Sequence, residues 1–477
     1  MARIDEKPVF IFPSSHSKNV DHQKCLEEFL RQNQTVQFIR LQWQDYSGLL
    51  RARIVVISHY RSLVSSKKPL HAPPIGFHCI VDNNLVSWLD PTGAHLLLPD
   101  YTSLRLLPNR PKYAILMCGV VETRPSMAEL NWDLCPRLAL ANVLRTAANI
   151  FDVDFLVGFE VEFEILQRRS SSSEEQNATI VPFSMGLGRY AADGLRDPGF
   201  PLVEEVVQTL MENGVGVQTI QTEGRRGQYE ISLGPQSPLH AVDELILVHD
   251  TLKESFARQG YIVTMAPKPI AGRRQAIGQH THISIRSSRD PVTEARSFLA
   301  GILARLPMLC AVCLPYDLSY ERVQPYLGGN HVAWGTENRE VPVRQIRLGH
   351  WELRCVDATA NMYLALATVL SAGLLGIKDK EPLRWRDTAL PLKELSQNDV
   401  NRPNGTVKNA TVPPRQLLPE SLTDALDALE HGGGLEDLTG MMGSRVLHNY
   451  LSVKRFEASK VQQMEPQTAR DLLTELF

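Results

Sequence analysis

Gly158-Phe159-Glu160-Val161-Glu162-Phe163 alternates strictly between apolar and acidic residues and continues into Glu164. On a strand the side-chain period is two, so Glu160, Glu162 and Glu164 share one face while Phe159, Val161 and Phe163 face a core. Stacked carboxylates repel one another unless water or a cation neutralises them. A lone Glu-x-Glu usually marks a solvated strand face. Here further clusters follow in order: Glu223, then Gly227-Gln-Tyr-Glu230, His280-Thr-His-Ile-Ser284 and Glu352-Leu-Arg354. Hard divalent cations take oxygen ligands with an occasional imidazole. Several strands feeding these pairs into one cavity would hold two or three Mg²⁺ or Mn²⁺ ions.

The rest of the chain sets the bounds. Its 477 residues can bury a large core, and 43% hydrophobic with 22% charged residues is ordinary for a globular protein. The net charge of −3 and the lack of a dense basic stripe argue against nucleic acid as a partner. The nearest basic cluster, Gly272-Arg-Arg-Gln275, suits a small phosphorylated ligand better. The N-terminus lacks the apolar run of a signal peptide, and no stretch of about 20 apolar residues is evident, so a cytoplasmic protein without a membrane span is expected. Seven scattered cysteines include Cys310-Ala-Val-Cys313, which sits in an apolar run and reads as buried core thiols. The Asn-x-Thr triplets at Asn177, Asn404 and Asn409 then read as chance matches.

Residues 1–20 look like a loose leader and 21–32 like a short helix. Alternation over 36–43 and 50–56, around the turn Asp45-Tyr-Ser-Gly48, predicts a hairpin. Further strands are expected over 84–89, 95–98 and 112–121. After about residue 125, helices are expected over 136–149, 202–213, 238–259, 291–306, 358–374 and 421–429. Strands are expected over 155–166, 215–222, 228–233 and 281–286. Ser170–Thr179 and Asn398–Pro414 read as surface excursions.

Arginines supply the other half of the chemistry. Arg322, Arg339, Arg344, Arg347 and Arg354 crowd the region after the histidines. Guanidinium binds phosphate or carboxylate bidentately and keeps its charge. Bound cations beside arginines suit phosphoryl transfer, but no Gly-x-x-x-x-Gly-Lys-Ser/Thr loop is present.

These motifs, in this order over roughly residues 36–460, resemble the glutamine synthetase family. Asp45-Tyr-Ser-Gly48, Gly158–Phe163, Gly227–Glu230, Pro267-Lys-Pro269, Gly278–Ser284, Trp334–Arg339 and Glu352–Asp357 carry the match. The style is that of the type I-related, glutamine-synthetase-like proteins of fungi. The resemblance implies an α+β fold, with a leader and short helix over 1–33, a small β-grasp domain over 34–128 and a catalytic domain over 129–477. It implies Glu162, Glu223 and Glu230 at one metal, and Glu160, His280 and Glu352 at another. His282, Ser284, Arg339 and Arg344 would contact nucleotide or phosphate. Arg322 and Arg354 would hold the amino-acid carboxylate and the transferred phosphate. Asp45 would reach the ammonium site of a neighbouring subunit in a homo-oligomeric ring, a decamer or dodecamer with active sites at subunit interfaces. ATP would be the co-substrate.

The chain departs from the family at the substrate end. Gly328 stands where the family's flap carries glutamate, Gln275-Ala276 replaces Asn-Gly, His350 replaces an arginine, and Met362 replaces a proline. No tyrosine lies between Tyr363 and Tyr450 for adenylylation. The expected activity is an ATP-dependent ligation of an acid, such as glutamate, to an amine through an acyl phosphate. An organic amine is favoured over ammonia, and Gly328→Glu should raise ammonia use. Rival readings are an authentic glutamine synthetase, a non-catalytic relative and an amine phosphotransferase.

Overall fold

The structure is a computed structural model that describes residues 21–90, 92–123, 131–169, 179–325, 327–388 and 416–477. The leader, most of the 170–179 segment, the 398–414 excursion and the three Asn-x-Thr asparagines lie outside the described residues. The fold is α+β, with two mixed sheets drawn from separate stretches of chain.

The first sheet comprises β1 (Phe38–Gln44), β2 (Leu50–Val56), β3 (Leu70–Ala72), β4 (Ala94–Pro99), β5 (Arg105–Leu107) and β6 (Arg110–Thr123). Its order is β2-β1-β6-β4-β3, with β5 on β6; β1 and β6 run parallel, and the other pairs are antiparallel. Ile39, Leu41 and Trp43 alternate into the core. Gly48 closes the β1–β2 hairpin at φ +86°, a conformation that costs glycine little. The strand expected over 84–89 is absent. Asn83 takes a left-handed φ of +67° and the Asp82 carboxylate accepts from the Asn84 N–H, so local Asx-turn bonding wins over strand pairing.

The second sheet comprises β7 (Val153–Arg169), β8 (Thr179–Pro182), β9 (Val217–Thr222), β10 (Gln228–Leu233), β11 (Ile262–Thr264), β12 (Gln279–Ser287), β13 (Trp334–Thr336), β14 (Val343–Arg347) and β15 (His350–Leu353). The order β13-β14-β15-β12-β7-β10-β9, with β8 and β11 also on β7, places the quoted stretch in the middle. β13 to β15 are three to five residues long, too short for periodicity to reveal them.

The expected helices form at His22–Gln32, Pro136–Thr146, Phe200–Glu212, Pro238–Ala257, Pro291–Cys313, Met362–Lys378 and Leu422–His431. Met362–Lys378 starts four residues late, because the Asp357 carboxylate accepts from the Thr359 N–H and Asn361 then caps Leu364. Leu435–Met442, Val446–Val461 and Pro466–Leu476 were not expected.

Pro291–Cys313 runs on through Pro307 and, by length and composition, is long and apolar enough to cross a membrane. It is a core helix: 78% of its most apolar window is buried, including Cys310 and Cys313. It packs on Met362–Lys378 through glycines. A Cβ on Gly301 would collide with the Ala372 carbonyl, and one on Gly373 with the Phe298 ring. Gly301→Val should therefore destabilise the protein by about 1–3 kcal/mol or more through overpacking, read as a lower denaturant midpoint. An unchanged midpoint would contradict this helix contact.

Candidate functional site

The site grows from the pleat of β7. Phe159, Val161 and Phe163 are at most 1% exposed on one face, and Glu160 and Glu162 line the other. Strand register then brings in the partners. Glu160 lies opposite His280 of β12, Glu162 opposite Glu230 of β10, and Glu352 of β15 opposite His282. Residues far apart in sequence thus meet on one sheet face.

His280 Nδ1 stands 2.9 Å from Glu160 Oε2, 3.4 Å from Glu352 Oε1 and 3.8 Å from Glu162 Oε1. His282 Nε2 lies 3.0 Å from Glu160 Oε1, and its Nδ1 lies 3.2 Å from His350 Nε2. Ligating atoms converge within 4.8 Å in two groups, Glu160–His280–Glu352 and Glu162–Glu230–His280. The first group is the second metal trio that the resemblance implies. The second group takes His280 where that reading has Glu223. Glu223 stays beside the cluster, held with Glu230 by Gln221, whose amide donates to both at 3.0 Å.

The electrostatics are those of a cation site. Burial, then the charges of Glu160, Glu162 and Glu223, push Glu230 up to about 9. Burial and Glu162 push Glu223 up to about 7. Burial acts the same way on Glu160, but hydrogen bonds with His280 and His282 outweigh it and hold that carboxyl below the usual range. Glu352 is also held low, since Arg354 and His280 outweigh its burial. An oxygen-rich cluster with one shared imidazole, and two carboxyls short of positive charge, fits divalent Mg²⁺ or Mn²⁺.

Arginines frame the cluster. Arg344 Nη1 donates to Glu352 Oε2 at 2.8 Å, and Arg354 donates to the other Glu352 oxygen. Arg322 is 5% exposed, donates to the Val356 carbonyl at 2.9 Å and reaches Gly278, where an added Cβ would sit 2.6 Å from its Nη2. Arg339 is exposed and acts on Glu223 through charge. Ser284 is half-buried on β12, opposite His350.

Two expected residues lie apart. Glu164 leaves its stack and pairs with Arg273 at 2.9 Å. Asp45 is fully buried within its own hairpin. Its carboxylate accepts from the Ser47 and Leu49 N–H groups at 3.0 and 2.9 Å and pairs with Arg51 at 2.6 Å. Burial nonetheless pushes it up to about 6.

At the substrate end, Gly328 sits at φ +109° with its missing Cβ 3.6 Å from Arg354 Cβ. L-residues are strained at that φ, so Gly328→Glu would not simply restore a flap carboxylate. Sequence reasoning passed over Gln221, His350 as the partner of His282, and the Gly278 N–H, which donates to Glu162 Oε2 at 2.6 Å. The available signals were the alternation leading to Gln221 and a glycine just before His-x-His.

A mixed β-sheet bearing this cluster, framed by arginines, is an arrangement suited to divalent cations beside anionic groups. The particular family follows from comparison. The family described as glutamine synthetase, catalytic domain, matches residues 133–471, and the chain belongs to it. Members of the family are ATP-dependent ligases that use divalent metals. The chain is similar to Protein fluG of Emericella nidulans, 30% identical over 99% of this chain, although it spans only 53% of that protein. It is 26% identical to gamma-glutamylpolyamine synthetase GlnA3 of Streptomyces coelicolor, over 91% of this chain and 92% of the relative. A solved GmaS/ADP complex shares the fold, with a TM-score of 0.75, 24% identity and coverage of 92% of this chain and 97% of that one.

Proposed function

We propose that this protein is an ATP-dependent carboxylate–amine ligase that γ-glutamylates an organic amine in preference to ammonia. The observation that carries the amine preference is Gly328, a flap position beside Arg354 that offers no carboxylate. Ammonium needs an anionic pocket and a base, because only the deprotonated nitrogen attacks. A glycine supplies neither and leaves room for carbon on the nitrogen. The likeness to a gamma-glutamylpolyamine synthetase supports the same reading.

In this reading the acid's carboxylate oxygen attacks the γ-phosphorus of ATP, forming an acyl phosphate and releasing ADP. The amine nitrogen then attacks the acyl carbon. The C–N bond forms, the C–O bond to phosphate breaks, and the nitrogen's proton leaves with phosphate or water. Glu162, Glu223 and Glu230 would hold one divalent cation, and Glu160, His280 and Glu352 a second; such ions neutralise charge on the transferring phosphoryl group. His282, Ser284, Arg339 and Arg344 would contact the nucleotide. Arg354 and Arg322 would face the acid and the phosphate, and closure of the 327–332 segment would exclude water. A cytoplasmic ring with active sites shared between subunits completes the reading; Asp45, 0% exposed and paired with Arg51, would have to leave its hairpin contacts to reach a neighbour's site.

The test is a panel of acids and amines with Mg²⁺ and ATP, read by mass spectrometry. Amide and ADP should form with at least one organic amine, about tenfold faster than with ammonia. Faster glutamine formation from ammonia, a stable N-phosphate, or no ATP turnover with any pair would each overturn the proposal.

A further inference from the structure

The rim beside Glu223 is apolar. Residues 185–190 pass over the end of β9, and within them Met185 and Leu187 are each 67% exposed and Tyr190 is 66% exposed. Large apolar side chains gathered in the open mark a binding surface more often than single ones do.

The backbone is shaped to present them. Arg189 and Tyr190 both take left-handed φ values, +53° and +64°, which residues with a Cβ seldom adopt. The Arg189 N–H donates to the Glu223 carbonyl at 2.9 Å, and the Tyr190 N–H donates to the Thr222 carbonyl at 3.1 Å. Gly188 permits this approach, because a Cβ there would sit 1.8 Å from the Glu223 carbonyl oxygen. Leu187 bridges to Arg225 beyond the same strand end. Backbone strain of this kind collects at ligand clamps.

The rim reaches the reaction centre. The Tyr190 hydroxyl accepts from Gln221 Nε2 at 3.2 Å, and the same amide nitrogen holds Glu223 and Glu230. Glu223 also feels the charge of Arg339. Arg339 belongs to the loop that supports the Gly328 flap, where a Cβ on Gly329 would sit 2.6 Å from the Glu340 carbonyl oxygen. Glu223 is thus bordered both by the 185–190 rim and by the loop under the flap where the reading above places the amine.

The charges of the rim disfavour a second ammonium. Arg189, Arg225 and Arg226 flank it. Among the described residues 179–200, Asp193 is engaged by Arg226 and lies 3.9 Å from Arg196, while Asp197 is 1% exposed and accepts from the Gly199 N–H at 2.9 Å. The far end of a diamine would leave water to meet arginines. An alkyl or aryl group would instead cover apolar surface.

We propose that Met185, Leu187 and Tyr190 seat the carbon portion of the amine co-substrate and select monoamines with an apolar group over diamines and polyamines. This rests on the ligase reading above and gives it an amine class.

Initial rates are measured with L-glutamate, ATP and Mg²⁺, and with methylamine, phenethylamine or putrescine as the amine. In the parent, kcat/KM should be about tenfold or more higher for phenethylamine than for putrescine. Met185→Ser/Leu187→Ser should cut the phenethylamine to methylamine ratio about fivefold to tenfold, mainly through KM. Its melting temperature should hold, because both side chains are exposed. Tyr190→Gly should cut the same ratio while its melting temperature holds or rises, since glycine accepts the left-handed φ. Tyr190→Phe keeps the ring and should keep the ratio. A rim that serves only structure would give a lower melting temperature and an unmoved ratio in Tyr190→Gly. If the double variant loses its oligomeric state by light scattering with the ratio unmoved, the rim is covered by a second copy of the chain and the proposal falls. A parent that prefers putrescine, or a ratio unmoved in both rim variants, would also overturn it, and each leaves the ligase reading standing. No amide from any of these amines would remove the ligase reading and this assignment with it.

Discussion

Glu230→Ala, and separately Glu162→Ala, should reduce ATP turnover by about a thousandfold or more while the protein stays folded. The cluster brings Glu160, Glu162, Glu223 and Glu230 together, and Glu230 is pushed up to about 9 by burial and by its acidic neighbours. Such a group is stabilised by a cation and destabilised without one. Metal ions at phosphoryl sites contribute several kcal/mol to transition-state stabilisation, and each 1.4 kcal/mol is about tenfold in rate. Alanine at 230 also removes one member of a mutually repelling set, so the metal-free variant should melt no lower than the metal-free parent. Mg²⁺ should raise the parent's melting temperature and leave that of Glu230→Ala nearly unmoved. Undiminished turnover in either variant at saturating Mg²⁺ would refute the metal assignment.

The second large effect is structural. Lys454→Met should destabilise the protein by about 3–5 kcal/mol, because it strands a buried carboxylate. Lys454 and Glu457 pair within the helix Val446–Val461, and both side chains are 0% exposed. Glu457 Oε1 accepts from Ser47 Oγ at 2.6 Å and from the Val81 N–H at 3.1 Å, and Lys454 Nζ lies 4.0 Å above the Tyr316 ring. The Tyr316 hydroxyl donates to the Ser47 carbonyl at 2.8 Å. The pair thus bolts the Asp45–Gly48 hairpin to a helix some 400 residues away in sequence, the Ser47–Glu457 separation being 410. The double variant Lys454→Met/Glu457→Gln keeps the acceptor for Ser47 and Val81 while removing the charge. It should recover more than half of the lost stability in urea unfolding. A double variant no more stable than the single one would show that the cost is lost packing and not a stranded charge.

Local patterns carried much of the fold and part of the site. Local sequence located β1, β2, β6, β7, β10 and β12 to within a few residues; β1, β2 and β7 alternate in sequence, whereas β6 and β10 are buried almost throughout. The same alternation put Glu160 and Glu162 on a common face. Ordered motifs, matched to a family, pointed to His280 and Glu352 as companions. Short strands such as β13 to β15, and the three helices after residue 434, carried too little period for local reading. Asp82-Asn83-Asn84 turned where a strand was expected, since side-chain bonding to the backbone outcompeted pairing.

By itself the sequence determined the alternating strands, the residue types able to bind a divalent cation, and a glycine at position 328. Only the tertiary structure decided which carboxylates meet. Register across β15, β12, β7 and β10 sets Glu160, Glu162, Glu230 and Glu352 around His280, while Glu164, on the same strand face, goes to Arg273 instead. The i,i+3 pair Lys454–Glu457 is fully buried in the fold. Long-range packing makes these choices: a side chain's charge is local chemistry, but its partner, its burial and hence its energetic sign depend on segments that only folding brings together.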